Sequence, residues 1–193
     1  MSSTRAAAMP PAQRRAAIIE TTIPLLLEFG SGVTTRQIAE AAGIAEGTIF
    51  RVFPDKDQLI DAVVEQAFDP LPTQTALDAI DRGLTLDERL IKAVEVLQER
   101  VEGLWRLMSA IGTSRRPGPT RPDPPDLSHL AALFEPDRDQ LRRDPMVAAR
   151  VLHGLTFASS HPMLSAHPLP PAEIVSLVLD GIRTSHSDES PSC

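Results

Sequence analysis

Apolar residues in this chain recur at intervals of three and four, and runs alternating with a period of two are nearly absent. That pattern predicts helices and no sheet. Residues 12–29 put Ile18, Ile19, Ile23, Leu26 and Leu27 on one stripe, closed by Gly30, with Pro24 inside as an expected kink or weak point. Two short helices follow, one capped by Thr34 with Gln37 three residues on and ended by Gly43, the other spanning about 45–52. Pro54 and Asp55 stop that helix and cap the next, whose stripe is Leu59, Ile60, Val63, Val64, Ala67 and Phe68. The longest periodic run starts at the Thr85/Glu88 capping box. Leu90, Val94, Leu97, Val101, Leu104, Met108 and Ile111 repeat along it, widened by Ile91 and Trp105.

Residues 115–126 hold five prolines and one glycine and read as an exposed loop. A short helix near 127–134 comes next. Asp144 and Pro145 then open a helix to about Ser160 with the stripe Val147, Val151, Leu155 and Ala158. Pro171 opens the last helix, where Ile174, Val175, Val178, Leu179 and Ile182 cover a wide arc. The fold class is all-α. The expected division is a disordered tail over 1–11, a three-helix head over 12–55, a helical body over 56–186 and a polar tail over 187–193.

Within the head, two short helices joined by a glycine turn have the layout of a helix-turn-helix. Ile38, Ala39 and Ala42 face inward, Ile44 and Ile49 plug the gap, and Gly43 supplies a positive φ. Glu46, Gly47, Thr48 and Arg51 are left on the outer face of the second helix, placed to enter a major groove. A capped amphipathic pair can also be packing alone, but this outer face is small and polar.

Charge alters the picture in one respect. The formal net charge is -7, yet residues 1–56 carry six Lys/Arg against five acids, and the rest carries 13 against 21. The acidity belongs to the body, so the head can still face phosphate. No apolar run is long enough for a bilayer, so no membrane partner is expected, and no leader pattern opens the chain. The lone cysteine, Cys193, allows no internal disulfide and suits a reducing cytoplasm.

The stretch "VTTRQIAEAAGIAEGTIFRVFPDKDQL", residues 33–59, closely resembles the DNA-binding head of the tetracycline-repressor (TetR) family of bacterial regulators. The resemblance rests on the spacing, the turn glycine, the Phe50/Phe53 pair and the "PDK" turn, and covers about a third of the chain. It implies a ligand-responsive repressor that binds a palindromic operator as a homodimer and needs no cofactor. It also implies that Thr35 and Thr48 bind phosphate, that Arg36, Glu46, Gly47 and Arg51 lie near base edges, and that Lys56 pins the DNA backbone. Three positions depart from the family's usual residues. Ala45 stands where a serine cap is common, Phe50 where a tyrosine hydroxyl reaches phosphate, and Glu46 where a base is common.

Glu46 has two readings, as a helix-end charge favoured by the macrodipole or as an acceptor for a cytosine amino group. For the effector, a small and mostly apolar molecule, the expected lining is Val64, Leu97, Leu104, Met108 and Phe157, although Trp105, Met108 and Phe157 also suit a filled core. His153, His161 and His167 match no helical metal-ligand spacing and read as solvated or capping. The motifs G-x-S-x-G, G-x-G-x-x-G and the P-loop do not occur, which argues against an enzyme. The rival reading is a helical-bundle adaptor or enzyme with a vestigial head. The last two helices are expected to pair across a two-fold axis in a four-helix interface.

Overall fold

The computed structural model describes residues 10–112 and 124–182. The expected tails, up to residue 9 and over 187–193, and most of the proline-rich stretch lie outside the described residues. Among those described, regular structure is helical and no strand occurs: α1 (Pro11–Phe29), α2 (Thr35–Ala41), α3 (Glu46–Val52), α4 (Lys56–Phe68), α5 (Leu71–Asp78), α6 (Leu86–Ile111), α7 (Ser128–Ala131), α8 (Pro145–Ser160) and α9 (Pro171–Ile182). Short 3₁₀ turns follow α1 (Gly30–Gly32) and α7 (Glu135–Gln140).

Local chemistry sets most boundaries. Thr34 accepts from the Gln37 backbone N–H while its own N–H donates to the Gln37 side chain. Asp55 caps α4 through the Gln58 N–H at 2.8 Å, and Asp144 caps α8 through the Met146 N–H at 2.9 Å. α1 runs through Pro24, which is exposed, as is Glu20, whose carbonyl the proline leaves without an amide. Water can meet that carbonyl on the outer face. Gly30 has φ +59 and its place admits no side chain: a Cβ there would sit 2.7 Å from the Ala110 carbonyl oxygen. α5 has no counterpart in the sequence expectations, because the prolines at its start masked a helix of only eight residues.

The described residues form two compact units. One holds residues 10–69 and 106–112, the other 70–105 and 124–182. The first unit includes α4, which packs on α1 and buries Leu59, Ile60 and Val63 in the same cluster as Ile18, Leu26, Ile38 and Ile49. The end of α6 adds Ile111, which the repeat predicted, and Leu107, which it did not; Leu104 and Met108 of the predicted stripe are only half-buried.

In the second unit, α5, α7, α8, α9 and the start of α6 enclose a core that includes Leu90, Val94, Leu133, Phe134 and Leu152. Arg89, 2% exposed, fastens it: Nε donates to the Leu133 carbonyl at 3.1 Å, Nη1 to the Arg82 and Leu84 carbonyls, and Nη2 to Asp137.

Two expectations about this unit are corrected. The α8 stripe is not inward: Val147 and Val151 are 41% and 45% exposed, while Ala148, Ala149, Leu152 and Thr156 are buried. Small residues win the interior because they let neighbouring helices approach closely. The apolar arc of α9 is not left for a partner, since Ile174, Val175, Val178, Leu179 and Ile182 all lie within this chain's own core.

Candidate nucleic-acid interface

α2 and α3 are each seven residues long, too short to be stable alone. Packing holds them. Ile38 and Ile49 are fully buried, and truncating either to alanine removes about 2–5 kcal/mol of support. Between them Gly43 takes φ +65. Its N–H donates to the Glu40 carbonyl at 3.2 Å, and the Ile44 N–H returns to the Ala39 carbonyl at 2.9 Å. These paired bonds make a Schellman cap, with Ile44 folded against the head core.

This geometry leaves one face of α3 in solvent. Glu46, Gly47, Phe50 and Arg51 are all exposed, and at 3.6 residues per turn they share an arc of about 140°. Phe50 is 47% exposed. Its partner in the aromatic pair, Phe53, is 1% exposed and lies under the Arg15 guanidinium, 4.5 Å from the ring centroid. Gly47 has open space where a Cβ would be. Arg36 on α2 and Arg51 on α3 are exposed, and neither is held in an ion pair among the described residues. Thr48 is half-buried, and its N–H closes the first turn on the Ala45 carbonyl at 2.8 Å.

Two predicted contact residues are engaged within the head. Lys56 Nζ donates to the carbonyls of Ser31 and Val33, both at 2.9 Å, so it clips the turn between α1 and α2 and keeps one N–H for any other acceptor. Thr35 Oγ1 donates to Glu46 Oε1 at 2.5 Å, joining the first residues of α2 and α3. Ala45 offers α3 no side-chain cap, as its sequence implied. The Thr35–Glu46 bond was invisible in the sequence, where the two residues are eleven apart and belong to different helices.

The expected effector lining is divided between the units. Val64 is buried and Met108 half-buried in the first, while Leu97, buried, and Leu104 and Phe157 belong to the second. Phe157 is 43% exposed, with its ring 5.1 Å from that of His161, which also meets Trp105 edge-on at 4.8 Å. His161 Nδ1 accepts from the Met163 N–H at 3.3 Å, a local capping role. Burial pushes His153 below the usual histidine range, and His167 is exposed. Among the described residues no group of three or more His, Cys, Asp or Glu is placed to hold a metal ion, and no helix is long and apolar enough to cross a membrane.

Comparison with known proteins agrees with this geometry. Residues 18–63 match the family described as "Bacterial regulatory proteins, tetR family". Over 132 residues the chain is 30% identical to the nucleoid occlusion factor SlmA of Salmonella dublin, a match covering 67% of this chain and 58% of that protein. It thus spans less than two thirds of that relative's length. A TetR transcriptional regulator from Streptomyces coelicolor has the same fold, with TM-score 0.53 and 22% identity over 89% of this chain and 99% of that one. So does the protein of the SmeT–triclosan complex, with TM-score 0.55 and 20% identity over 90% of this chain and 93% of that one.

Proposed function

We propose, from the membership of this chain in the tetR family of bacterial regulatory proteins, that it is a sequence-specific DNA-binding repressor released from a palindromic operator by a small effector. The exposed face of α3 is the observation that supports this most directly. A buried residue, Ile49, anchors the helix from behind, and Gly47, Phe50 and Arg51 stand free in front. Arg51 and Arg36 have the fork that pairs with the O6 and N7 of guanine, and Phe50 offers an apolar surface to a thymine methyl. Thr48 and the remaining N–H of Lys56 contact phosphate, which fixes register and carries no sequence information.

A homodimer supplies the second half-site. The apolar surface left to a partner is on α8, where Met146, Val147, Val151 and Phe157 are 36–45% exposed, with Leu177 of α9 at 53%. Gly154 and Gly181, on the exposed sides of the same helices, leave room for close approach. Two such heads meet successive major grooves about one helical turn apart.

The effector reading rests on α6, one helix that supplies Leu90 and Val94 to one core and Leu107 and Ile111 to the other. A ligand that favours the DNA-incompetent state of such a helix shifts the population away from the operator. The triclosan-bound relative is the precedent for a mostly apolar ligand.

Selection from random double-stranded DNA, followed by titration at physiological salt, tests the reading. A palindromic consensus bound with Kd around 10⁻⁸ M or tighter supports it. Salt-labile binding in the micromolar range without sequence preference supports the adaptor or enzyme alternative.

A further inference from the structure

The bond between Thr35 and Glu46 is the feature of the head that base and phosphate contacts leave unused. We propose that Glu46 is a positioning residue, a clip that sets α3 against α2, and that it does not read a base; this rests on the DNA-binding reading above. α3 has seven residues, an alanine at its cap position and one fully buried side chain, so little in the helix itself fixes its angle at the front end. The carboxylate supplies that restraint. Glu46 and Thr35 are the first residues of their helices, and a hydrogen bond between them ties both N-terminal ends across the turn.

The bond also changes what each partner offers DNA. Thr35 donates its one hydroxyl hydrogen bond to Glu46, so it cannot donate the same hydrogen to a phosphate. Glu46 has directed one oxygen back into the head, so an acid at the front of a DNA-facing helix need not be an acid in the groove. Specificity then falls to Arg36, Phe50 and Arg51.

The experiment compares Thr35→Val with the wild type, and Glu46→Ala with Glu46→Gln, which have equal charge and differ in the hydrogen bond a Gln amide oxygen can still accept. Affinity is measured for the selected operator and for a panel with each base pair of the half-site replaced, with unfolding midpoints recorded without DNA. Glu46→Gln is expected to bind as tightly as the wild type or more tightly, with the same panel profile. Glu46→Ala should bind about tenfold more weakly than Glu46→Gln, the order expected for losing one charge-assisted or amide hydrogen bond, and evenly across the panel. Thr35→Val should weaken binding by a similar factor, and Thr35→Val in the Glu46→Ala background should add nothing further. Loss of discrimination at one base pair in Glu46→Ala but not in Thr35→Val would overturn the clip, as would additive effects of the two substitutions. If the wild type selects no DNA sequence, the regulator reading fails. The unfolding midpoints then decide the clip alone, coupled shifts supporting it and additive shifts refuting it.

Discussion

Gly47 occupies a helical position where alanine would be the better choice for folding. A Cβ there would meet nothing within 4 Å, and the site is exposed. Glycine in a helix interior loses about 0.5–1 kcal/mol relative to alanine, so Gly47→Ala should stabilise the protein by about that amount. The same methyl would stand between the α3 backbone and the groove, and operator affinity should fall about tenfold or more while the melting temperature rises. Thermal denaturation beside operator titration checks both signs; a variant that gains stability and keeps full affinity shows that the groove does not approach this backbone. Arg89 presents the opposite case, a residue whose partners are all inside. Replacing it with alanine takes the guanidinium from three carbonyls and from Asp137, and urea unfolding should show a loss of about 3 kcal/mol, at the low end for a broken buried pair because Asp137 is 21% exposed and keeps its bond from Gln140. Neither residue's role follows from its identity alone: the sequence showed the glycine as an outer-face residue, but the cage around Arg89 joins positions 82, 84, 133 and 137 and needed the fold.

Helix ends were legible in the sequence, and so were the buried faces of α1 and α4, but the face of α8 was not, and the difference is one of range. The caps at Thr34, Asp55, Thr85 and Asp144 depend on residues two or three positions away, so the signal lies inside a short window. One of them has a pH signature. The Thr85 hydroxyl, then its backbone N–H, hold the exposed Glu88 carboxyl below the usual carboxylate range. A depressed folded-state pKa contributes stability that is present above the unfolded value, about 4.3, and is lost as pH falls through the lower folded value. Glu88→Gln keeps the cap geometry without the ionisation, so the wild-type advantage over it should be constant near neutrality and shrink progressively once the pH falls below about 4.3 in acid unfolding. An advantage that persists in acid would mean that Glu88 acts by shape alone. Faces are harder because α8 has apolar residues on both sides. Val147 and Val151 make the more hydrophobic stripe, Ala148, Ala149 and Leu152 the better-packed one, and only the neighbours α7 and α9 decide between them. The Thr35–Glu46 tie failed to show for the same reason, since a contact between the ends of two helices has no period.

At the scale of the whole molecule, the inverted face of α8 and the covered arc of α9 relocate the proposed dimer surface. Ile174, Val175, Val178, Leu179 and Ile182 of α9 are consumed inside one chain, so pairing has to come from what remains outside, chiefly Met146, Val147, Val151 and Phe157, with Leu177. A two-fold interface brings each such residue near its own copy or near a close neighbour on the partner. A charge introduced at Val151 would therefore be buried beside a like charge, a costly arrangement with no counter-ion nearby. Val151→Glu should keep the fold, because the position is 45% exposed in one chain and surface changes of this kind shift stability by only about 0.5 kcal/mol. Sedimentation should show it as a monomer at micromolar concentration. DNA binding should then fall by about 100-fold or more on the full palindrome, since the second head no longer gains from being tethered to the first, while affinity for an isolated half-site should hardly change. That contrast separates a lost partner from a damaged head. A Val151→Glu protein that still sediments as a dimer, with palindrome affinity intact, would move the pairing surface away from α8.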